Sequence, residues 1–237
     1  MYEIKKLCPI CQSEETKTEV QEIKVCNICG KDTSSSFTCS NHHTICYKCE
    51  QEKLKESIIN YCLTTKLKHP LDLTLELMKL PNIPMHGPIH HFLIPAALLT
   101  AYSNQTDSIN LKDSLTIAKN RSQIVPGAVC GLWGVCGSAI GVGIYYSILK
   151  EISPLSTDLW KEVGQITSNT ANKIANEGGP RCCKRDGFIA INQAIKYSNQ
   201  YLNTNYTLND ITCDFFINNQ QCKNIKCPYF PTKNNRK

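Results

Sequence analysis

Cysteine placement constrains this chain more than any other feature of its sequence. Fifteen cysteines in 237 residues form two groups of seven on either side of Cys62. The first group holds three Cys-x-x-Cys pairs, a turn that presents two sulfurs to one metal ion. Seven thiols and one imidazole make eight ligands, the number that two tetrahedral zinc ions require. The predicted ligands are Cys8, Cys11, Cys26, Cys29, Cys39, His43 (or His42), Cys46 and Cys49.

Two pairings of these eight ligands are open from the spacing alone. Sequential pairing gives a zinc ribbon from the first two Cys-x-x-Cys pairs and a compact second site beyond it. Alternating pairing joins the first pair to Cys39 and His43, and the second pair to the third. This cross-brace resembles RING-type fingers, but a RING order needs another cysteine pair after Cys49, so ubiquitin-ligase activity is not predicted. An iron–sulfur cluster in place of zinc is the less favoured alternative for this module.

Residues 1–50 are short, polar and poor in large apolar side chains, so we expect a two-site zinc-binding module that folds only when loaded. Short strands are predicted around 20–25 and 37–39, with the serine run 34–36 as the turn between them. The chain opens with Met-Tyr-Glu-Ile-Lys-Lys and no apolar run follows, which predicts no export. A reducing cytoplasm then favours metal ligation over disulfides.

Residues 51–230 are predicted to form a mainly α-helical, cysteine-rich domain, followed by a disordered tail at 231–237. Apolar side chains recur at helical spacing through most of this domain. Residues 131–149 carry no charge, but five glycines dilute their hydrophobicity, so a buried helix is predicted rather than a membrane span. The predicted helices are 50–66, 71–80, 88–102, 109–121, 137–150, 156–177 and 186–202.

The formal charge of +6 is unevenly spread along the chain. Residues 1–65 hold 8 Lys/Arg and 9 Asp/Glu, against 18 and 11 in the remainder. A basic half is compatible with nucleic acid as a partner, yet the cations are scattered apart from 181–185 and the tail. Nucleic-acid binding or RNA modification is therefore the weaker functional alternative, and the zinc module is the expected docking site for any protein partner.

The second cysteine group combines features that favour a bound metal or a reactive thiol. Cys130 and Cys136 each precede a glycine, which lets the backbone approach a bulky bound group. The adjacent Cys182 and Cys183 are flanked by three cations within 181–185, which predicts lowered thiol pKa values. Tight packing of small residues is the alternative explanation of the glycines. The predicted cofactor ligands are Cys130, Cys136, Cys182, Cys183, Cys213, Cys222 and Cys227, and we expect the first four to converge.

Histidines complete the set of candidate site residues. His86, His90 and His91 lie near the predicted start of a helix, where an imidazole favours its neutral, metal-binding form. A simple hydrogen-bonded role in the core is the alternative. The predicted catalytic residues are Cys182, Cys183, His90 and His91.

Three stretches of the second domain resemble a known family. They are Met85–His91, Val129–Gly141 and Gly179–Arg185. They are similar to a cysteine-rich domain family of anaerobic archaea and some bacteria that carries only a label of unknown function. The resemblance covers about residues 20–230. It implies an anaerobic, metal-rich setting and no established activity.

Together these patterns predict a two-zinc module on a helical domain that holds an iron–sulfur cluster or another thiolate-bound metal. Redox or sulfur-transfer chemistry is the expected role. The alternative is a non-enzymatic zinc-binding adaptor or metal relay. We expect two zinc ions and one iron–sulfur cluster as cofactors, whereas no substrate follows from the sequence.

Overall fold

The computed structural model describes residues 6–231, in which a hairpin of two antiparallel strands precedes eight helices. The strands are β1 (Glu15–Val25) and β2 (Asp32–Cys39), with a register shift between Lys17 and Glu22. The helices are α1 (Tyr47–Thr64), α2 (Pro70–Lys79), α3 (Ile89–Thr106), α4 (Leu111–Ser122), α5 (Val129–Leu132), α6 (Gly137–Leu149), α7 (Asp158–Glu177) and α8 (Cys183–Tyr201). Short 3-10 turns follow at Phe216–Asn218 and Asn224–Lys226.

The predicted mainly α-helical fold is confirmed, and each predicted helix occurs within a few residues of its expected bounds. The prediction for the hairpin turn was wrong, because the serine run 34–36 lies inside β2. The turn is instead the second Cys-x-x-Cys pair, closed by hydrogen bonds from the Cys26 amide to the Lys31 carbonyl and from the Gly30 amide to the Cys26 carbonyl. From residue 232 onward, the predicted tail lies outside the described residues.

Helix α3 forms the centre of the helical domain. Every residue from Ile89 to Ala101 is buried, so this part of the helix is enclosed on all sides. A helix that is apolar all round belongs in a core rather than at a surface. It contacts α1, α2, α4, α6 and α8. The N-terminal end of α3, which carries His90 and His91, is therefore held from several directions.

Helix α6 packs closely against α3 through glycines. A Cβ on Gly141 would lie 2.9 Å from Cδ of Pro95 and 3.3 Å from the carbonyl oxygen of His91. A Cβ on Gly137 would overlap the His91 ring at 2.0 Å. The uncharged segment 131–149 thus consists of the end of α5, a loop and the mostly buried α6. Within residues 6–231, no helix combines the length and hydrophobicity needed to cross a membrane.

Asn82 connects the hairpin region to the helices. Its Nδ2 donates to the carbonyl oxygen of Leu7 at 2.6 Å, and its Oδ1 accepts from the Leu7 amide at 2.6 Å. Asn82 adopts a positive φ of 66°, a conformation that asparagine tolerates better than most residues. The backbone amide and carbonyl of Leu7, the residue before Cys8, are therefore both hydrogen-bonded to the helical domain.

Gly141→Ala should destabilise the protein by about 1–3 kcal/mol, because its neighbours are a proline ring and helix backbone that cannot rotate away. Gly164 is the matched control, since it is an exposed position within α7 where a Cβ would meet nothing within 4 Å. Gly164→Ala should stabilise by up to about 1 kcal/mol through helix propensity. Denaturant midpoints of the two variants and the wild type would measure both effects. Equal midpoints for the two variants would contradict the close packing of α3 and α6.

Candidate metal centres

The N-terminal ligands gather into two clusters, and in each cluster all ligand atoms lie within 4.8 Å of one another. Ligand pairs alternate along the chain between the clusters, so the structure has the cross-braced arrangement rather than the sequential ribbon. The histidine is His43, whose Nδ1 lies 3.5 Å from Sγ of Cys8 and 3.6 Å from Sγ of Cys39. The first cluster is Cys8, Cys11, Cys39 and His43, and the second is Cys26, Cys29, Cys46 and Cys49.

The spacing of the sulfurs fits zinc. A zinc–sulfur bond of about 2.3 Å in a tetrahedron places neighbouring sulfurs about 3.8 Å apart. The Sγ atoms of Cys11 and Cys39 are 3.7 Å apart, as are those of Cys29 and Cys46. Both clusters could therefore hold a metal ion of this size without rearrangement.

Electrostatics in the two clusters also call for a cation. The hydroxyl and amide of Ser13 lower the pKa of Cys11 to about 5. Burial opposes ionisation of Cys26, but three backbone amides outweigh it and lower its pKa to about 6. The pKa of Cys49 rises to about 12, through burial and through the other three thiols of its cluster. Cys11 and Cys26 thus ionise more readily than a free thiol whereas Cys49 ionises less readily, and a bound divalent ion would favour the thiolate form of all of them.

Backbone hydrogen bonds hold the ligand loops of the second cluster together. Asn27 accepts from the Thr44 amide at 2.7 Å through Oδ1 and donates its own amide to the Thr44 carbonyl at 2.9 Å. The Cys46 amide donates to Sγ of Cys26 at 3.3 Å. The hairpin turn and the start of α1 are therefore joined at the cluster itself, which positions sulfurs that are distant in sequence.

Four cysteines of the second group line one small cavity beside the start of α8. Cys182 is the N-cap residue of α8, and its Sγ accepts from the Arg185 amide at 3.5 Å. Cys213, Cys222 and Cys227 come from the irregular segment after α8. An aromatic shell surrounds the four thiols: Phe188, Phe215, Phe216, Tyr229 and Phe230.

The other three thiols of the group do not line this cavity. Burial raises the pKa of Cys183 to about 11, the Gly87 amide opposes that rise, and Asp186, Cys182 and Cys130 add to it. Sγ of Cys136 lies 3.9 Å from Oδ2 of Asp186, and burial raises its pKa to about 12. The four cysteines that we expected to converge are therefore divided. Cys182 lines the cavity, whereas Cys130, Cys136 and Cys183 lie outside its lining.

The predicted lowering of the thiol pKa values at Cys182 and Cys183 was wrong, because burial raises both. The flanking cations are partly engaged elsewhere. Nε of Arg185 donates to Oδ1 of Asp186 at 2.9 Å, and Nη2 donates to the Pro180 carbonyl at 3.2 Å. Asp186 itself raises the pKa of both thiols. A cation adjacent in sequence therefore does not guarantee a stabilised thiolate.

Lys184 is a fully buried cation in the middle of the domain. Its Nζ lies 3.3 Å from the Met78 carbonyl oxygen and 4.7 Å from the centre of the Phe215 ring. Within residues 6–231 no carboxylate lies within 4.0 Å of it. Burial lowers its pKa to about 7, while the thiols of Cys183, Cys182 and Cys213 raise it. The ionisable groups that favour the charged form of Lys184 are therefore thiols.

The histidines are held in their neutral form by hydrogen bonds and burial. Nε2 of His90 donates to the Pro84 carbonyl at 2.9 Å, and Nδ1 of His91 donates to the Val125 carbonyl at 3.3 Å. Burial lowers the pKa of both side chains. Neither belongs to a metal-ligand cluster among the described residues. Asn219, which contacts both His86 and Cys182, was not predicted, because nothing distinguishes it within an asparagine-rich segment.

In protein reconstituted with zinc, a double variant of the first Cys-x-x-Cys pair, Cys8→Ser with Cys11→Ser, should bind one ion fewer and keep the second cluster loaded. In the cross-brace the remaining ion has four sulfur ligands, whereas sequential pairing would leave three sulfurs and one histidine nitrogen. X-ray absorption at the zinc edge would count the sulfur and nitrogen ligands. The companion variant Cys26→Ser with Cys29→Ser should leave a site with one nitrogen. Sequential pairing would instead leave one nitrogen in both variants, and that result would refute the cross-brace.

Comparison with known proteins separates the two halves of the chain. Residues 58–230 match a family of unknown function, DUF5714. The matched range contains all seven thiols of the second group and none of the cross-brace ligands, and it begins later than the expected residue 20. No curated protein and no solved structure shows significant similarity to the chain. Because the match spans well over half of its residues, the chain belongs to the DUF5714 family of unknown function.

Proposed function

We propose that this protein is a redox or sulfur-transfer metalloprotein of an anaerobic setting. In this proposal the cross-brace holds two structural zinc ions, and an iron–sulfur cluster binds in the helical domain. The cluster ligands are Cys182, Cys213, Cys222 and Cys227. The observation that carries the proposal is the cavity that brings these four cysteines together near the buried Lys184, whose charged form is favoured by the thiols of Cys183, Cys182 and Cys213.

A buried charge is stable only when an opposite charge or strong hydrogen bonds compensate its lost hydration. One carbonyl contact and one aromatic ring do not fully compensate an ammonium, and burial lowers the pKa of Lys184 to about 7, so ionised thiols nearby would be needed to keep it charged. Several thiolates close together repel one another, and a metal centre resolves that repulsion. A positively charged lysine and a metal–thiolate centre therefore stabilise each other. Apolar packing alone gives no reason to bury a lysine, rather than an apolar residue, at this position.

The donor set fits a cluster. Iron–sulfur clusters are held by four cysteines and tuned by hydrogen bonds to sulfur, and two of these thiols accept backbone amides. Among the described residues, no three of the seven thiols of the second group have sulfurs that all lie within 4.8 Å of one another. Their spacing is therefore wider than a single tetrahedral ion requires. The cavity between them is only about 20 Å³, so the cluster would move the irregular segment that carries Cys213, Cys222 and Cys227 outward.

When bound, the cluster would supply one-electron transfer. The chain's own residues would set its surroundings. The aromatic shell partly covers these half-buried cysteines, and within it Phe188 packs edge to face on Tyr229 and Phe216 on Phe230. Lys184 and Arg185 favour negative charge at the thiols, so they would stabilise the reduced state. The resemblance to a family of anaerobes suits an oxygen-sensitive group.

Cys182→Ser should abolish bound iron and visible absorption in anaerobically purified protein, and zinc content should remain at two ions. Cys183→Ser is the matched control, because this neighbouring thiol does not line the cavity and should be dispensable for colour. Elemental analysis for iron, zinc and acid-labile sulfide, with absorption spectra before and after air exposure, would measure both variants. Loss of iron in both variants alike would contradict the assignment of the four cavity cysteines.

Colourless wild-type protein with zinc as its sole metal would overturn the redox proposal. That result would favour the alternative role of a zinc-binding adaptor or metal relay. The exposed side chains of Ile10, Ile28 and Tyr47 on the ligand loops would then be the surface to test for a protein partner.

Lys184→Met should weaken retention of the cluster by about 10–100-fold, the effect typical of removing a group that supports metal ligands. Methionine keeps the length and apolar stem of lysine but removes the charge. Lys226→Met is the control, because Lys226 is exposed and next to a cavity cysteine. Iron retained against increasing chelator would be compared between the variants. Equal retention in Lys184→Met and the wild type would show that the ammonium does not serve as counter-ion.

A further inference from the structure

We infer that the groove between the hairpin and the start of α1 recognises a lysine side chain of a protein partner, and that Lys6 occupies this site in the free protein. The inference goes beyond the proposed function, because it needs a folded cross-brace but no iron–sulfur cluster. The groove has a volume of about 200 Å³, and Phe37 and Tyr47 line it together with charged side chains. It is the charged part of the groove that identifies the occupant.

Three elements of the fold converge on the ammonium of Lys6. Its Nζ lies 3.3 Å from Oε2 of Glu15 at the start of β1, and 3.2 Å from Oε1 of Glu50 in the first turn of α1. The same nitrogen lies 3.7 Å from the centre of the Phe37 ring on β2. Carboxylates and the face of an aromatic ring both attract a cation. Side chains that are distant in sequence therefore form one site for a positive charge.

The two carboxylates need a cation at this point. The side chain of Glu15 is only 7% exposed, and a carboxylate removed from water is unfavourable unless it is paired. Glu50 directs a second negative charge to the same nitrogen, so the two carboxylates would repel each other if no cation lay between them. The groove therefore favours a positively charged occupant, whichever chain supplies it.

The geometry suits an ammonium better than a guanidinium. Each carboxylate directs one oxygen to a single nitrogen. A guanidinium is a planar fork that pairs best with both oxygens of one carboxylate, whereas the ammonium of lysine is a compact point charge. The partner's side chain that fits this site is therefore a lysine rather than an arginine.

Lys6 is placed so that a lysine of another protein could replace it. Its side chain is 34% exposed and reaches the site from the segment before Cys8. Its carbonyl oxygen accepts from the Glu15 amide at 2.8 Å, a bond that does not depend on where the ammonium lies. Beside Lys6 the groove stays open along Ser35 and Tyr47, which leaves room for the segment that carries the partner's lysine.

The test uses full-length protein reconstituted with zinc, and Nα-acetyl-lysine amide as the probe. Lys6→Met should bind the probe about 10-fold more tightly than the wild type, because the tethered ammonium no longer competes for the site. Lys17→Met is the matched control, since it removes an exposed lysine of β1 that does not line the groove, and it should bind like the wild type. An NMR titration that follows the backbone amides of Glu15, Phe37 and Glu50 would give the affinities.

The chemistry of the occupant is tested on the same variant. Adding Glu15→Gln to Lys6→Met should abolish the gain in affinity, because one of the two carboxylates is lost. Nα-acetyl-arginine amide and Nα-acetyl-norleucine amide should both bind Lys6→Met more weakly than the lysine probe does. Equal binding of either one would overturn the recognition of an ammonium.

Equal affinity of the wild type and Lys6→Met for the lysine probe would overturn the inference as a whole. If Lys6→Met does not fold, Lys6→Arg keeps the positive charge and should bind the probe more tightly than the wild type, because the guanidinium competes less well. Unchanged affinity in Lys6→Arg would contradict the inference in the same way. None of these results depends on iron, so they are independent of the outcome for the cluster.

Discussion

The helical domain depends on how it accommodates one buried ammonium. Lys184 lies where the end of α2, the start of α8 and the C-terminal segment meet, through Met78 and Phe215. Burial lowers the pKa of Lys184 to about 7, and the nearby thiols would favour its charged form most strongly when they are ionised. The irregular segment after α8 therefore has a physical reason to fold back over the start of α8, because it brings Cys213 and the aromatic shell to the charge.

The N-terminal hairpin obeys a different constraint, because it has little apolar surface to bury. Ile23 and Val25 are exposed on β1, and among the described side chains of the hairpin the buried apolar groups are Cys26 and Cys39. In a module of this kind the free energy of metal binding becomes free energy of folding. Cross-bracing strengthens that coupling, because each cluster joins two ligand pairs that are far apart in the chain and neither can form from a local turn alone.

Sequence patterns predicted the features that depend on apolar periodicity and on the number of ligands. They failed for features that depend on how the folded chain brings residues together. The helices follow from apolar spacing, and the eight ligands follow from their count. The ligand pairing does not, because both arrangements use identical spacing and the hairpin decides between them. The serine run looked like a turn, yet Cys26–Gly30 forms it, where Gly30 adopts a φ of 70°. Adjacent Cys182 and Cys183 have different surroundings, because Cys182 is the extended N-cap residue of α8 and Cys183 is its first helical residue.

Helix α1 couples the two halves in addition to the Asn82–Leu7 hydrogen bonds. α1 begins next to Cys46, carries Cys49 in its first turn and then buries Ile58 and Cys62 in the core of the family domain. Within the described residues, Cys46 makes no side-chain capping hydrogen bond, so a metal ion bound to Cys46 and Cys49 would hold the start of α1 in place of a cap. Loss of that ion would release the first turn of a helix whose far end packs against α3. Metal occupancy in the cross-brace is thereby linked to the stability of the domain that carries the second cysteine group.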